Sequence, residues 1–288
     1  MTRQKYLSIK LLFIYTACLF CLISNGCSTE QIIDPQKYSK STENSFIVIG
    51  DTRTNPIIFK QHVNNINNLD PLPIYLFHAG DMVTAYFLNF EWKIFHKIMN
   101  PLLNKIILYP VAGNHDVGVS SNSRELYRKE TGIQGELYYS FTHQSLLFVI
   151  LSTEEPDFTG SVGNNQFDWL VETLANSTSD RIIVFMHRPL FPQGHYKDKA
   201  SSNSEKIHEV FKQYGVDIVF AGHEHQFFIN DLDGITYVIT GGGGAPLHHE
   251  NGGDFYHFIL ANIKEKSIIL HVINLNGSIW GTYDIPFK

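Results

Sequence analysis

The chain has 288 residues, 43% of them hydrophobic and 17% charged, a balance that excludes collagen-like, low-complexity and disordered proteins and leaves ample apolar material for a core. Its formal charge is −6, so a basic groove for nucleic acid is not expected. The three cysteines, Cys18, Cys21 and Cys27, all precede residue 28, which excludes both a disulfide framework and a thiolate metal site in the rest of the chain.

In chain order, Arg3, Lys5 and Lys10 come first, followed by an apolar run at 11–23 that is too short to span a bilayer comfortably; this is the charge order of a secretory signal. Ser24-Asn25-Gly26-Cys27-Ser28 then resembles the cleavage and lipidation site of a bacterial lipoprotein. That resemblance implies removal of residues 1–26, a lipid on Cys27 and an exported protein of the cell envelope, periplasmic or at the cell surface, with the membrane as partner through its anchor. Ser24 stands where such sites usually carry Leu, so a plain cleaved signal and a secreted product remain the alternative. Losing residues 1–26 removes three bases and no acid, which makes the mature chain still more acidic. Residues 27–44 are mostly polar without periodicity and read as a tether, leaving 45–288 as a single domain with no internal repeat.

Within that domain, short apolar β-branched runs recur at 46–49, 74–77, 106–111, 146–151, 182–186 and 216–220. Helix-like segments lie between most of them, at 56–68, 90–103, 166–175 and 204–214. Such alternation predicts an α/β fold of parallel strands covered by helices. The last third differs: runs at 226–229, 235–240, 256–263, 267–275 and 279–283 are separated by turn signals such as Asp233-Gly234 and Asn276-Gly277, and antiparallel pairing is expected there.

Five of the strand candidates end directly in side chains of the metal-binding kind. They lead to Asp51, to Asp81, to Asn114-His115-Asp116, to His187 and to His223-Glu224-His225. Parallel strands bring their carboxyl ends to one rim of a sheet, where ligands bind, so the five should converge. Glycine precedes four of the five, as close backbone approach around a crowded site requires. The expected donors are two carboxylates, one amide oxygen and three imidazoles without sulfur, a set suited to Mn, Fe or Zn.

Gly50-Asp51, Gly80-Asp81, Gly113-Asn114-His115-Asp116, His187 and Gly222-His223-Glu224-His225 occur in the order and approximate spacing of the calcineurin-like metallophosphoesterases, which the chain resembles over nearly all of its mature length. The stretch Thr240-Gly241-Gly242-Gly243-Gly244-Ala245-Pro246 looks like bacterial members related to purple acid phosphatases. The resemblance implies a four-layer αββα sandwich, two mixed sheets packed together between helices. It also implies a hydrolase of phosphate esters that uses water activated by two divalent or trivalent ions and takes a phosphorylated small molecule or macromolecule as substrate. In that reading Asp81 bridges the ions, Asp51 and His225 hold one, and Asn114, His187 and His223 hold the other. His115 stands by the leaving group, oriented by Asp116, and Arg53, Asn114 and His115 contact substrate. The alternative is a surface lipoprotein on the same fold that binds metal or a phosphorylated ligand without turnover.

The sequence departs from the family where many relatives have a histidine two residues after the first aspartate. Here that position is Arg53, which either pairs with phosphate or forms an ordinary salt bridge. Purple acid phosphatases place a tyrosine three residues after the second aspartate; here Thr84 stands there, with Tyr86 two residues on. Glu224 is expected to be exposed, His78 to serve the core or support a ligand, and His195, Tyr196, His248 and His249 to be solvated loop residues. The run 241–244 lacks the Lys-Ser or Lys-Thr of a P-loop and is expected to pack against the metal rim.

Overall fold

Period-two alternation along the strands decides the layering. The computed structural model describes residues 41–118, 120–197, 201–250 and 253–288; the expected leader 1–26, Cys27 and the tether as far as residue 40 lie outside them. Strand β1 (Ser41–Ile49) turns Phe46 and Val48 into one apolar layer and Ile47 and Ile49 into another, all buried. It begins at Ser41, within the stretch expected to be tether. β2 (Leu72–His78), β3 (Ile107–Pro110), β10 (His257–Ile263), β11 (Ser267–Asn274) and β12 (Ile279–Pro286) complete a six-stranded sheet in the order β12-β11-β10-β1-β2-β3. β1 to β3 run parallel and β10 to β12 antiparallel.

The second sheet contains β4 (Tyr139–His143), β5 (Leu146–Ile150), β6 (Arg181–Met186), β7 (Ile218–Ala221), β8 (Phe227–Leu232) and β9 (Ile235–Thr240), in the order β4-β5-β6-β7-β9-β8. Here β5, β6, β7 and β9 are parallel and the outer strands antiparallel. The last third is therefore not wholly antiparallel as expected, because β9 joins β7 through a crossover before pairing with β8.

Facing sides of the two sheets share one core, with Phe46, Phe77, Phe148, Phe185 and Phe220 at its centre; the rings of Phe77 and Phe185 stack 4.0 Å apart. The outer side of the first sheet is covered by α1 (Pro56–Asn67), α2 (Asn89–Leu103) and α3 (Ser121–Thr131) through Phe59, Val63, Trp92, Phe95 and Tyr127. That of the second is covered by α4 (Asn164–Ala175) and α5 (Ser204–Tyr214) through Leu170, Leu174, Ile207 and Phe211. Two sheets between two helical layers make the four-layer αββα sandwich that the sequence implied. Among the described residues no helix is long and apolar enough to cross a membrane.

Candidate functional site

The carboxyl ends of β1, β2 and β3 lie side by side, tied by Ala79 N–H to Ile49 O (2.8 Å), Asp51 N–H to Gly80 O (2.9 Å) and Val111 N–H to His78 O (2.8 Å). The ends of β6 and β7 meet through Gly222 N–H to His187 O at 3.0 Å. Among the bonds that join the sheets here, His187 Nδ1 donates to Ala79 O (2.8 Å), and the His223 N–H donates to Asp51 Oδ2 (2.9 Å). At Gly80, φ is +91° and a Cβ would lie 2.4 Å from His187 Nδ1, so the turn admits no side chain. Asp51, Asp81 and His223 sit at φ of 58°, 59° and 67°, a left-handed conformation that costs a non-glycine residue about 1–3 kcal/mol.

This rim brings all six expected ligands together. Oxygens of Asp51 and Asp81 and a ring nitrogen of His225 lie within 4.8 Å of one another. His225 Nε2 is 3.5 Å from Asp51 Oδ1, and His187 Nε2 is 3.4 Å from Asp81 Oδ1 and 3.1 Å from Asn114 Oδ1. The His223 ring stands 5.1 Å from that of His187. Each imidazole with an Nδ1–H bonded to a carbonyl has Nε2 left for the site: His187 uses Ala79 O, and His225 uses Pro246 O at 2.6 Å. Fixing the ring through the far nitrogen is how metal-binding histidines are held.

Charge and burial fit a cation. Burial alone would raise the Asp81 carboxyl, but His187, His115 and Arg53 and the His115 N–H outweigh it and hold the pKa low. Burial, with His187 and Arg188 beside it, drives the His223 pKa far below the usual histidine value, leaving a neutral donor ring. Burial opposes charging of His225, yet the Asp51 carboxylate raises its pKa. Asp51 Oδ1 is buried without a hydrogen-bond partner. A buried carboxylate oxygen whose nearest polar neighbour is the His225 Nε2 at 3.5 Å is under-satisfied unless a cation meets it, and oxygen beside imidazole is a donor set for a divalent metal.

The surroundings correct several expectations. Asp116 does not orient His115: its carboxylate accepts from the backbone N–H groups of Asp81, Met82, Val83 and Gly113 at 2.7–3.2 Å, fixing the turn that presents Asp81. His115 is oriented instead by Nδ1 donating to Thr84 O (2.6 Å), which leaves Nε2 4.0 Å from Asp81 Oδ2. Glu224 is fully buried rather than exposed and accepts from the N–H groups of Gln193, Gly194 and Tyr196. The loop it anchors lays the Tyr196 ring on His223 (4.4 Å), while His248 stacks on His225 (4.3 Å), so neither is a free loop side chain. Tyr86 packs over Gly118, where a Cβ would lie 2.6 Å from its ring. Gly241 and Gly243 close on the rim as expected, with Cβ positions 2.2 Å from Glu224 O and 2.3 Å from Gly50 O.

Two guanidinium groups flank the carboxylates. Arg53 Nε donates to Asp81 Oδ2 (3.0 Å) and its Nη2 lies 3.3 Å from His225 Nε2. Arg188, which the sequence did not single out, pairs with Glu154 (2.6 Å) and places Nη1 3.1 Å from His223 Nε2. Its only signal in the sequence is its place next to His187.

Residues 45–227 match the calcineurin-like phosphoesterase family. The human serine/threonine-protein phosphatase CPPED1 is 27% identical over 210 residues, 67% of each chain. Among solved structures, the purple acid phosphatase PPD1 from yellow lupin seeds superposes with a TM-score of 0.70 at 17% identity, covering 85% of this chain and 54% of its own. GAP50, the anchor in the inner membrane complex of Plasmodium, gives 0.67 at 16% identity, covering 85% of this chain and 89% of its own. At such identities the superpositions speak to the fold, which an enzyme and an anchor share.

Proposed function

The chain belongs to the calcineurin-like phosphoesterase family, and on that footing we propose that it is a dinuclear metal-dependent hydrolase of phosphate esters. The observation that carries this reading is the buried, under-satisfied Asp51 Oδ1 beside Asp81 and His225, a donor set that fits a cation. In this proposal Asp51, Asp81 and His225 would hold one ion of Mn, Fe or Zn, and Asn114, His187 and His223, sharing Asp81, would hold the other. When bound, the ions would supply an acidified water and charge neutralisation for in-line attack at phosphorus.

The chain's own groups do the rest. With Nδ1 held by Thr84 O, the His115 Nε2 is the proton donor for the ester oxygen: as the P–O bond to the alcohol breaks, that oxygen takes the proton and leaves as the alcohol. Arg53 and Arg188 now give guanidinium N–H groups to the Nε2 atoms of His225 and His223. Ligation through those nitrogens would free both groups for phosphoryl oxygens, which a planar guanidinium suits. Asp116 positions the Asp81 turn, and the shared phosphatase and anchor fold keeps a binding protein without turnover as the second reading.

The test is hydrolysis of a panel of phosphate mono- and diesters by purified protein loaded with Mn or Zn. Turnover abolished by chelator and restored by metal is expected, and absence of turnover on every ester would move the reading to binding. Export and lipid anchoring at Cys27 belong to the same proposal, and a Cys27→Ala protein that still partitions with membranes would refute the anchor.

A further inference from the structure

Beside the rim lies a cavity of ≈180 Å³ between the start of α1, the loop after Asp81 and the first turns of α2. Its walls are largely apolar, with Phe59, Met82, Phe90 and Ile94, and two of its polar residues are Arg53 and Thr84. Those two tie it to the chemistry. Arg53 is bonded to Asp81, and the Thr84 carbonyl orients His115, the proton donor for the leaving oxygen. The loop wall is fixed as well, because a carboxylate oxygen of Glu91 accepts from the N–H groups of Thr84 and Ala85.

Exposed apolar side chains line the same cavity. Phe90 and Ile94, which line the cavity, are 57% and 41% exposed, and Ile57 and Phe87 nearby in sequence to other lining residues are 78% and 64% exposed. A solvated apolar concentration beside a polar reaction site marks a place that something apolar covers. The cavity meets the site at Arg53 and at Thr84, the residue whose carbonyl holds the His115 ring.

Resting on the phosphoesterase reading, we infer that this cavity is the leaving-group pocket and that the substrates are phosphate esters of apolar alcohols, with an alkyl or aryl-terminated chain. The volume holds about six water-sized groups at roughly 30 Å³ each, enough for a six-carbon chain or a ring. Each buried methylene favours transfer out of water by about fourfold, so a pocket of this kind discriminates by chain length. A polar alcohol such as glycerol gains nothing there and leaves the apolar walls wet.

The experiment compares 3-phenylpropyl phosphate with ethyl phosphate, whose leaving alcohols are of nearly equal acidity, so that intrinsic reactivity cancels. The metal-loaded protein should favour the phenylpropyl ester by about tenfold or more in kcat/KM, since several methylene equivalents are buried. Phe90→Ser and Ile94→Asn, at exposed positions that the fold tolerates, should bring that ratio towards one. A ratio near one in the parent protein, or a ratio the two variants leave intact, overturns the proposal. Binding of 3-phenylpropylphosphonate and ethylphosphonate by calorimetry gives a readout independent of turnover. Tighter binding of the phenylpropyl compound with a more negative heat-capacity change is expected, and equal affinities overturn the pocket even if no ester is hydrolysed. Hydrolysis of neither ester, with this binding difference present, would instead count against the phosphoesterase reading alone.

Discussion

The first sheet brings the anions to the rim and the second brings the imidazoles. Asp51, Asp81, Asn114 and His115 follow β1, β2 and β3, whereas His187, His223 and His225 follow β6 and β7. The first half is braced by N–H groups converging on carboxylates, four of them on Asp116 alone. The second is braced by carbonyls and carboxylates that hold rings and loops, with Pro246 O on His225 and Glu224 on the 193–196 backbone. An anion cluster in one sheet and imidazole donors in the other make a site only when the shared phenylalanine core locks the sheets face to face. Site formation and sheet packing are thus one event.

Acid should break the first half before the second. Behind its anions the first sheet and its helices hide three histidines, His62, His78 and His257, whose pKa values burial lowers to about 3, about 3 and about 4. The charge of His257 adds to the effect at His62, and at His78 burial outweighs the opposing pull of Asp81. The folded chain keeps these rings neutral while the unfolded chain protonates them below about 6.5, so stability falls as pH drops from there towards 4. If all three act, the first half alone contributes a slope of roughly 4 kcal/mol per pH unit in metal-free protein, and His223 and His248 of the second half, whose pKa values burial also lowers, add to it. Denaturant midpoints at pH 7 and 5 measure the total, and His62→Leu should reduce it by up to about 1.4 kcal/mol per pH unit. Amide exchange at pH 5 should reach β1, β2 and β10 before β5 and β6; the reverse order would break the comparison.

Adjacent residues sharpen it next. Asp116→Ala strands four buried N–H groups, each worth about 1–3 kcal/mol unsatisfied, so it should cost several kcal/mol of stability. His115→Ala removes a partly exposed ring and should keep stability within about 1 kcal/mol while lowering kcat by about 10²- to 10⁴-fold. Thermal melts beside turnover separate the two; an Asp116→Ala protein of parent stability with lost turnover would restore the orienting role first read from the sequence.

What the sequence made legible followed from strand ends. A parallel strand must deliver the residue after it to the rim, so Asp51, Asp81, Asn114, His187, His223 and His225 could be placed near one another from runs such as 46–49 and 182–186. The layering was legible through resemblance, and alternation within β1 and β2 bears it out. Helix α3 was missed because Ser121–Thr131 buries Ser123, Arg124 and Tyr127, a helical face that is mostly polar. β4 was missed because none of its five residues is fully buried: four are half-buried and Thr142 is exposed. The carboxylates of Asp116 and Glu224 and the rings of Tyr196 and His248 were misread for one reason: their partners are backbone groups or rings distant in sequence, and no spacing encodes those.

The smallest effect bears on the two arginines, one on each half. Arg188 pairs with Glu154, which is itself buried, so Arg188→Ala would leave an unpaired buried carboxylate and unsettle the fold whatever the arginine does for substrate. Arg188→Lys keeps the charge beside Glu154 but loses the planar fork. If the guanidinium serves phosphate once His223 Nε2 is ligated, KM for a monoester dianion should rise about tenfold, about 1.4 kcal/mol, with kcat little changed. Arg53→Lys should do the same from the first sheet's side, because its Nε and Nη2 also reach two groups at once, Asp81 and His225. An unchanged KM in Arg188→Lys with an unchanged melt would assign its guanidinium to Glu154 alone, and phosphate recognition would then fall to Arg53 on the anion-bearing half.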